Sequence, residues 1–594
     1  MNVSVTGQKD RRKIMLRLFH THEVRKYAEL DGIWDFKMEG NEKSYRMVVP
    51  GCIEQNPDFL DKRGIGCYTK IFDVKQDGNL RFEFKGVSHT ADVYLDGEKL
   101  VHHYNAFTPF SVVATNVKTG FHELKVYVDN RFTPDSALHI PNDYYTYGGI
   151  TRPVAVEQIR DVYIKNVQFE PKMVDDGWKA RIKIVLSNVS NEKHSVSLSA
   201  VLEPNLLYDE NGVRISQSEA LVSQQIKVEA LSCCKTIQAR SEETVEVEAF
   251  FDNVQSWNNT HPNLYLLKFL LTMSGQPEDD LIERVGFREV KLEGKKILVN
   301  GEKIYLKGFN RHEDYATVGC AIPLQLMVQD LDLLQEMNAN AVRTCHYPND
   351  ERFLDLCDER GLFVWEESHA RGIGGIQNPN FDKQSYDCIN EMIGNHFNHP
   401  SIIIWGILNE GASDTEFGRE QYRKQYAQIR ALDQSRPVTS ATCRHLTDIC
   451  LDLPDIVSFN MYSGWYQDVS TEETNEKEID WIRKSGGENK PIIVSEFGAA
   501  AIYGFRDRAH CKWSEERQAD IIRENLEVYM KNNENICGVF VWQFADCRVT
   551  EQKWFSTRAR CHNNKGVVDE YRRPKIAFDT VKELFGDREC RVRN

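Results

Sequence analysis

The sequence predicts a multidomain chain in which two β-sandwich domains precede a (β/α)8 TIM barrel. Two observations predict it. Before about residue 290, short strands of alternating apolar and polar residues are separated by turn residues such as Asp96-Gly97; after it, strand and helix patterns alternate eight times. Residues 1–160 are expected to form a jelly-roll-like sandwich, residues 161–289 an immunoglobulin-like sandwich, and residues 290–594 the barrel. At 594 residues, 41% hydrophobic and 27% charged, the chain is long enough for several domains and has a globular composition.

In the first unit the alternation marks strands at Arg81–Phe84, Asp92–Leu95 and Glu123–Val128. The second has longer ones, at Lys179–Leu186, Ser195–Leu202 and Thr244–Phe251, with the spacing of a sandwich. The barrel strands are expected at Ile304–Phe309, Ala341–Thr344, Leu362–Trp365, Ile402–Leu408, Val438–Ala441, Ile456–Asn460, Pro491–Glu496 and Gly538–Phe544. Helical periodicity falls between them at Leu324–Met337, Glu351–Arg360, Phe381–Phe397, Phe417–Leu432, Asp480–Lys484 and Glu515–Lys531, with a last helix at Pro574–Leu584. A doubly wound sheet fits less well, because no GxGxxG motif opens a helix.

The net charge of −15 is spread over both signs with no basic patch, which argues against a nucleic-acid binder. The longest apolar runs, such as Ile402–Trp405, are too short to span a bilayer. Residues 1–20 are charged throughout, with no apolar signal core. The 15 cysteines are odd in number and contain no CxxC pair, as expected of reduced thiols, so the chain is expected to be cytoplasmic.

Catalytic groups of such barrels sit at the C-terminal ends of the strands. Two of the expected strands end in a glutamate, Glu410 after Leu408-Asn409 and Glu496 before Phe497-Gly498. They are far apart in sequence, so only the barrel brings them together. Paired carboxylates suit glycoside hydrolysis, in which one group protonates the leaving oxygen and the other attacks carbon or activates water. Trp405, Tyr462, Trp465, Tyr466, Trp542 and Trp554 lie in or near strand-end loops and offer apolar faces for sugar rings. His312, His346 and His369, with Glu313 and Glu367, have no metal-ligand spacing, so no metal is expected.

Several stretches resemble glycoside hydrolase family 2. They are Gly308-Phe309-Asn310-Arg311-His312-Glu313-Asp314, Asn340 to Pro348, Trp405 to Glu410, and Val494 to Gly498 in the barrel. Leu30 to Trp34, Val49-Pro50-Gly51, Leu264-Tyr265 and Gly286-Phe287-Arg288 resemble the family's preceding domains. Within the family, the chain is most similar to β-glucuronidases of the bacterial type. Asn460-Met461-Tyr462-Ser463-Gly464-Trp465-Tyr466 is similar to their sixth-strand segment, and Asn563-Asn564-Lys565 to the Asn-x-Lys motif that reads a sugar carboxylate. Where some of those enzymes carry an Arg four residues before that Asn, this chain has Ala559, flanked by Arg558 and Arg560. The segment from Arg371 to Phe381 is short, which implies an open mouth.

The resemblance implies a retaining β-glucuronidase, with Glu496 as nucleophile and Glu410 as acid and then base. It implies sugar contacts from Asp143, His312, Asn409, Asn460, Tyr462, Tyr466, Trp542, Asn563 and Lys565. It implies no cofactor, a glucuronide or a glucuronic-acid-ended oligosaccharide as substrate, and a homo-oligomer, dimer or tetramer. β-Galacturonidase and β-galactosidase of the same family remain alternatives, as does a non-catalytic sugar-binding protein, which the presence of both glutamates disfavours. Physically, a substrate carboxylate entering a site with two glutamates needs a cation, and Lys565 supplies one.

Overall fold

The computed structural model describes residues 21–215, 226–372, 374–552, 555 and 557–586, so Trp554 and residues 1–20 lie outside it. In the first unit a six-stranded antiparallel sheet, ordered Tyr45–Val49, Gly32–Met38, Ile65–Val74, Gly120–Asp129, Thr90–Leu95, Glu98–Tyr104, faces a four-stranded one containing Gly78–Phe84 and Val154–Ile159. Trp34, Tyr68, Val93 and Val126 from the first sheet meet Phe82 and Phe84 from the second in one core. The alternation of each strand puts these residues on one face. Asp96 and Gly97 both have positive φ, 50° and 87°, as a two-residue hairpin turn requires.

The second unit is also a sandwich. Val162–Val174, Gly177–Asn188 and Ser241–Phe251 pair in one sheet; His194–Leu206, Leu264–Met273 and Gln276–Val285 pair in the other. Ile182 and Ile184 pack on Leu198, Leu267 and Phe269 between them. Buried arginines fasten the units together. Arg25 donates to Asp279, to Glu157 and to the Ile164 carbonyl. Arg288 donates to the carbonyls of Pro400 and Ile402 in the barrel.

The barrel strands are β1 (Leu306–Arg311), β2 (Ala341–Thr344), β3 (Phe363–Glu367), β4 (Ile402–Ile407), β5 (Val438–Thr442), β6 (Val457–Asn460), β7 (Ile492–Phe497) and β8 (Ile536–Val541). All pair in parallel and close on themselves. They agree with the expected strands to within a few residues at the ends. A small ribbon, Val290–Glu293 with Lys296–Val299, shares a core with Leu306, Ala341 and Phe363 at the strand starts and caps that end. The C-terminal end is left to the polar loops.

One helix differs from expectation. The helix expected at Asp480–Lys484 runs from Thr471 to Lys484. Its first turns, Thr-Glu-Glu-Thr-Asn-Glu, have no apolar periodicity, and the Ser470 side chain caps it by accepting from Glu473 N. Between β5 and β6 the described residues contain no helix, only turns. Both features line the site.

Gly308 of β1 shows how tightly the barrel is filled: a Cβ there would lie 2.4 Å from the Phe540 ring. Gly308→Ala is expected to destabilise the barrel by about 1–3 kcal/mol through overpacking, read as a lower melting temperature in calorimetry. An unchanged melting temperature would show that the ring has room to move.

Candidate active site

Glu496 ends β7, where an extra residue in the pairing with β6 sets Asn460 opposite Glu496 and turns the carboxylate inward. Its Oε1 accepts from Arg343 Nη1 at 2.9 Å and its Oε2 from the Tyr462 hydroxyl at 2.8 Å. Arg343, on β2, is fully buried and engages four groups at once. It also donates to both oxygens of Glu367, at 2.9 and 3.1 Å, to Asn310 at 3.0 Å and to Asn409 at 2.9 Å. His346 Nδ1 lies 2.6 Å from Glu367 and closes the network. Burial pushes the Glu496 carboxyl up, Arg343 and Tyr462 pull it down, and the nearby Glu410 pushes it up again, leaving it at about 7. Tyr462 is itself pushed upward by burial and by Glu496, so its phenol stays protonated and donates.

Glu410 follows β4 on a strand tail held from both sides. Asn409 N donates to the Ala370 carbonyl and Glu410 N to the Ala441 carbonyl. Leu408 and Glu410 take φ of 41° and 53°, a conformation that costs a non-glycine residue free energy and is kept where the surroundings over-determine it. The Glu410 carboxylate accepts from Asn460 Nδ2 at 3.1 Å and from Arg371 Nη2 at 3.3 Å. Arg371 also donates to Asn142, on a loop of the first sandwich.

That loop carries Asp143 into the barrel mouth. Asp143 receives Arg558 in a two-pronged contact, at 3.1 and 2.5 Å, and Asn563 Nδ2 at 3.1 Å. Lys565 Nζ donates to the Tyr466 hydroxyl at 2.8 Å and sits over the rings of Tyr466, Tyr462 and Trp465. It makes no ion pair among the described residues. Burial and Arg558 lower its pKa, against the pull of Tyr466 and Asp143. Burial pushes Tyr466 up, yet Lys565 and Arg558 beside it bring it below the usual phenol value.

These groups surround a cavity of about 470 Å³. Asp143, Glu410, Asn460, Tyr462, Tyr466, Glu496, Trp542 and Lys565 all line it. Asn409, His312 and Asn563 are buried and not part of its wall; each touches a residue that is, through Asn460, Trp542 and Asp143 respectively. Burial and the cations Arg371 and Arg343 pull His312 down to about 3, leaving a neutral imidazole whose Nε2 has no partner. Trp542 stacks on His346 at 5.1 Å. Of the two flanking arginines only Arg558 faces the site. Arg560 takes φ 59° and pairs with Glu570.

Arg343, Glu367 and Arg371 had no assigned role in the sequence reading. Arg343 was legible in part: a charge inside an apolar strand at a strand end marks an inward-pointing group. Among the described residues one group brings metal-like ligands together, Asp355, Asp358 and His399, but Arg284 stands 2.8 Å from Asp355 and already neutralises it. The arrangement at the cavity, two carboxylates held by cationic and neutral donors, can do acid–base and nucleophilic chemistry. An infrared difference titration, wild type minus Glu496→Gln, should show a carboxyl ionising near pH 7, moved higher by Tyr462→Phe because a donor to the charged form is lost. A midpoint near 4.5 would mean that the two donors outweigh burial.

Family models match most of the chain. "Glycosyl hydrolases family 2, TIM barrel domain" covers residues 290–588, and "Glycosyl hydrolases family 2" covers residues 162–288. A β-galacturonidase from Eisenbergiella tayi, solved with galacturonate bound, is 44% identical with a TM-score of 0.88, covering 96% of this chain and 99% of that one. A β-glucuronidase from Streptococcus agalactiae is 28% identical over 95% of this chain and 96% of its own length. The β-glucuronidase of Rattus norvegicus is 30% identical over 94% of this chain and 91% of its own. With its barrel and its middle domain both matched by the family, and two glutamates facing one cavity at the barrel mouth, this chain belongs to family 2 of the glycosyl hydrolases.

Proposed function

We propose that this glycoside hydrolase removes terminal β-linked uronic acids with retention of configuration. The observation that carries the proposal is the pairing of cations at the cavity. Arg343 is matched by Glu496 and Glu367, Arg371 by Glu410 and Arg558 by Asp143. Buried Lys565 has only a phenol among the described residues. A desolvated ammonium without a carboxylate is costly, and a substrate carboxylate at C6 of the sugar would complete the set. A neutral sugar would leave it uncompensated.

In the first step ionised Glu496 attacks the anomeric carbon while protonated Glu410 gives its proton to the leaving oxygen, and the glycosidic bond breaks. The ester removes the charge of Glu496. Glu410 then accepts a proton from water as the water oxygen attacks the same carbon and the ester bond breaks, restoring both groups. Arg343 and Tyr462 fix the attacking carboxylate, and Asn460 and Arg371 fix the acid. Since Glu496 must be ionised and is held at about 7, the attack is lost as pH falls below 7.

The sequence resemblance points to glucuronides. The 44% identity with a galacturonate-bound β-galacturonidase, over almost the whole of both chains, favours galacturonides instead. The test is hydrolysis of matched aryl β-glucuronide, β-galacturonide and β-galactoside. One uronide should be turned over well, Glu496→Gln should lose nearly all activity, and Lys565→Ala should cut the ratio of uronide to galactoside kcat/KM by at least about 100-fold, the scale of one buried charge pair. Galactoside turnover with no uronide turnover would overturn the proposal.

A further inference from the structure

The cavity is larger than the part of it that the sugar-reading groups surround. Asp143, Arg558, Tyr466 and Lys565 are linked to one another by hydrogen bonds in one part of it. The leaving group of the proposed reaction must lie beside Glu410, which protonates its oxygen and whose charge reaches Cys443 and His445. The wall there comes from two segments. The turn-rich stretch after β5 contributes Cys443, His445 and Leu446. The helix from Thr471 to Lys484 contributes Thr474, Lys477 and Glu478, whose spacing puts them on one helix face.

Beside Cys443 and Leu446, this wall carries polar groups whose hydrogen bonding is incomplete. Glu478 is 2% exposed, yet it faces the cavity. His445 Nδ1 stands 3.2 Å from Glu478 Oε1, close enough for an ion pair, but neither atom makes a hydrogen bond of acceptable geometry. Burial pulls the His445 imidazole down, but Glu478 outweighs it and the net shift is upward. Lys477 is exposed and makes no ion pair among the described residues. The aromatic rings of the lining, Tyr462, Tyr466 and Trp542, come from β6 and β8 and their loops, and none comes from this wall. A flat apolar leaving group would leave Glu478 Oε1 without a hydrogen bond, at the cost of an unsatisfied polar atom. A polyhydroxylated one would donate to Glu478 and to Thr474 Oγ1, whose own proton goes to the Ser470 carbonyl, and accept from Lys477.

We propose that this wall, built from Thr474, Lys477, Glu478 and His445, is a leaving-group subsite for a hydroxylated saccharide, so that the preferred substrates are uronic-acid-ended oligosaccharides and not conjugates of apolar alcohols. The proposal rests on the uronidase reading and names the substrate class of the same site.

The experiment compares kcat/KM for two substrates with the same uronic acid and leaving groups of similar basicity: a uronosyl-β-hexose disaccharide and the corresponding cyclohexylmethyl β-uronide. In the full-length wild-type protein the disaccharide should be favoured at least tenfold. Glu478→Leu should remove most of that advantage, and Thr474→Val, a partly exposed isosteric change that keeps the fold, should reduce it about threefold. Thermal melts of both variants report whether the barrel is intact. Equal rates for the two substrates in the wild type, or an advantage that persists in both folded variants, would overturn the subsite. Hydrolysis of neither compound, with the aryl uronides equally inert, would overturn the uronidase reading beneath it.

Discussion

The active end of the barrel is organised around one buried guanidinium. Arg343 comes from β2, yet it binds Glu496 of β7, Glu367 of β3, Asn310 of β1 and Asn409 beyond β4. A charge with no solvent contact has to be paired and hydrogen-bonded, and the closed barrel is what supplies its partners from strands so distant in sequence. In return, the planar fork of Arg343 fixes the orientation of Glu496 and of Asn409, the residue before Glu410. Arginine is the residue for this position because a lysine ammonium has no fixed plane and too few donors to hold all four groups.

Around that centre, charge is distributed with a purpose that the pairing makes visible. Burial and the neighbouring Glu410 raise the cost of ionising Glu496. Arg343, Tyr462 and Arg371 offset this without cancelling it, which leaves the Glu496 carboxyl at about 7. The first sandwich is part of the same arrangement. Its loop delivers Asp143 to Arg558 and Asn142 to Arg371, so the positive corner around Lys565 is complete only when the two domains are in contact. The domain contact and the site are therefore a single structural unit, and disturbing one should disturb the other.

Much of this was legible in the sequence, for identifiable reasons. Glu410 and Glu496 stand out because each ends a strand that is apolar throughout, and Lys565 because it lies in a short motif. Strand positions followed from hydrophobic runs and missed only at their ends, where β1 and β3 continue into buried polar residues: Arg311, which pairs with Asp330, and Glu367, which pairs with Arg343. Long-range pairing was not legible. Nothing local says that Arg343 spans to β7, or that Arg558 and not Arg560 faces the cavity; the latter is decided by a left-handed turn at Arg560. The helix from Thr471 was hidden because its exposed first turns carry charge and no periodicity, and its contribution to the leaving-group wall was hidden with it.

The proposed specificity turns on Lys565 meeting a substrate anion. Calorimetric titration of the Glu496→Gln protein with free uronic acid and with the neutral hexose of the same configuration tests it without turnover. The uronic acid should bind at least about 100-fold more tightly, which is close to 3 kcal/mol, and the Lys565→Ala change made in the same background should abolish the difference. Equal affinity for the acid and the neutral sugar, or a preference for the acid that survives loss of Lys565, would contradict the account.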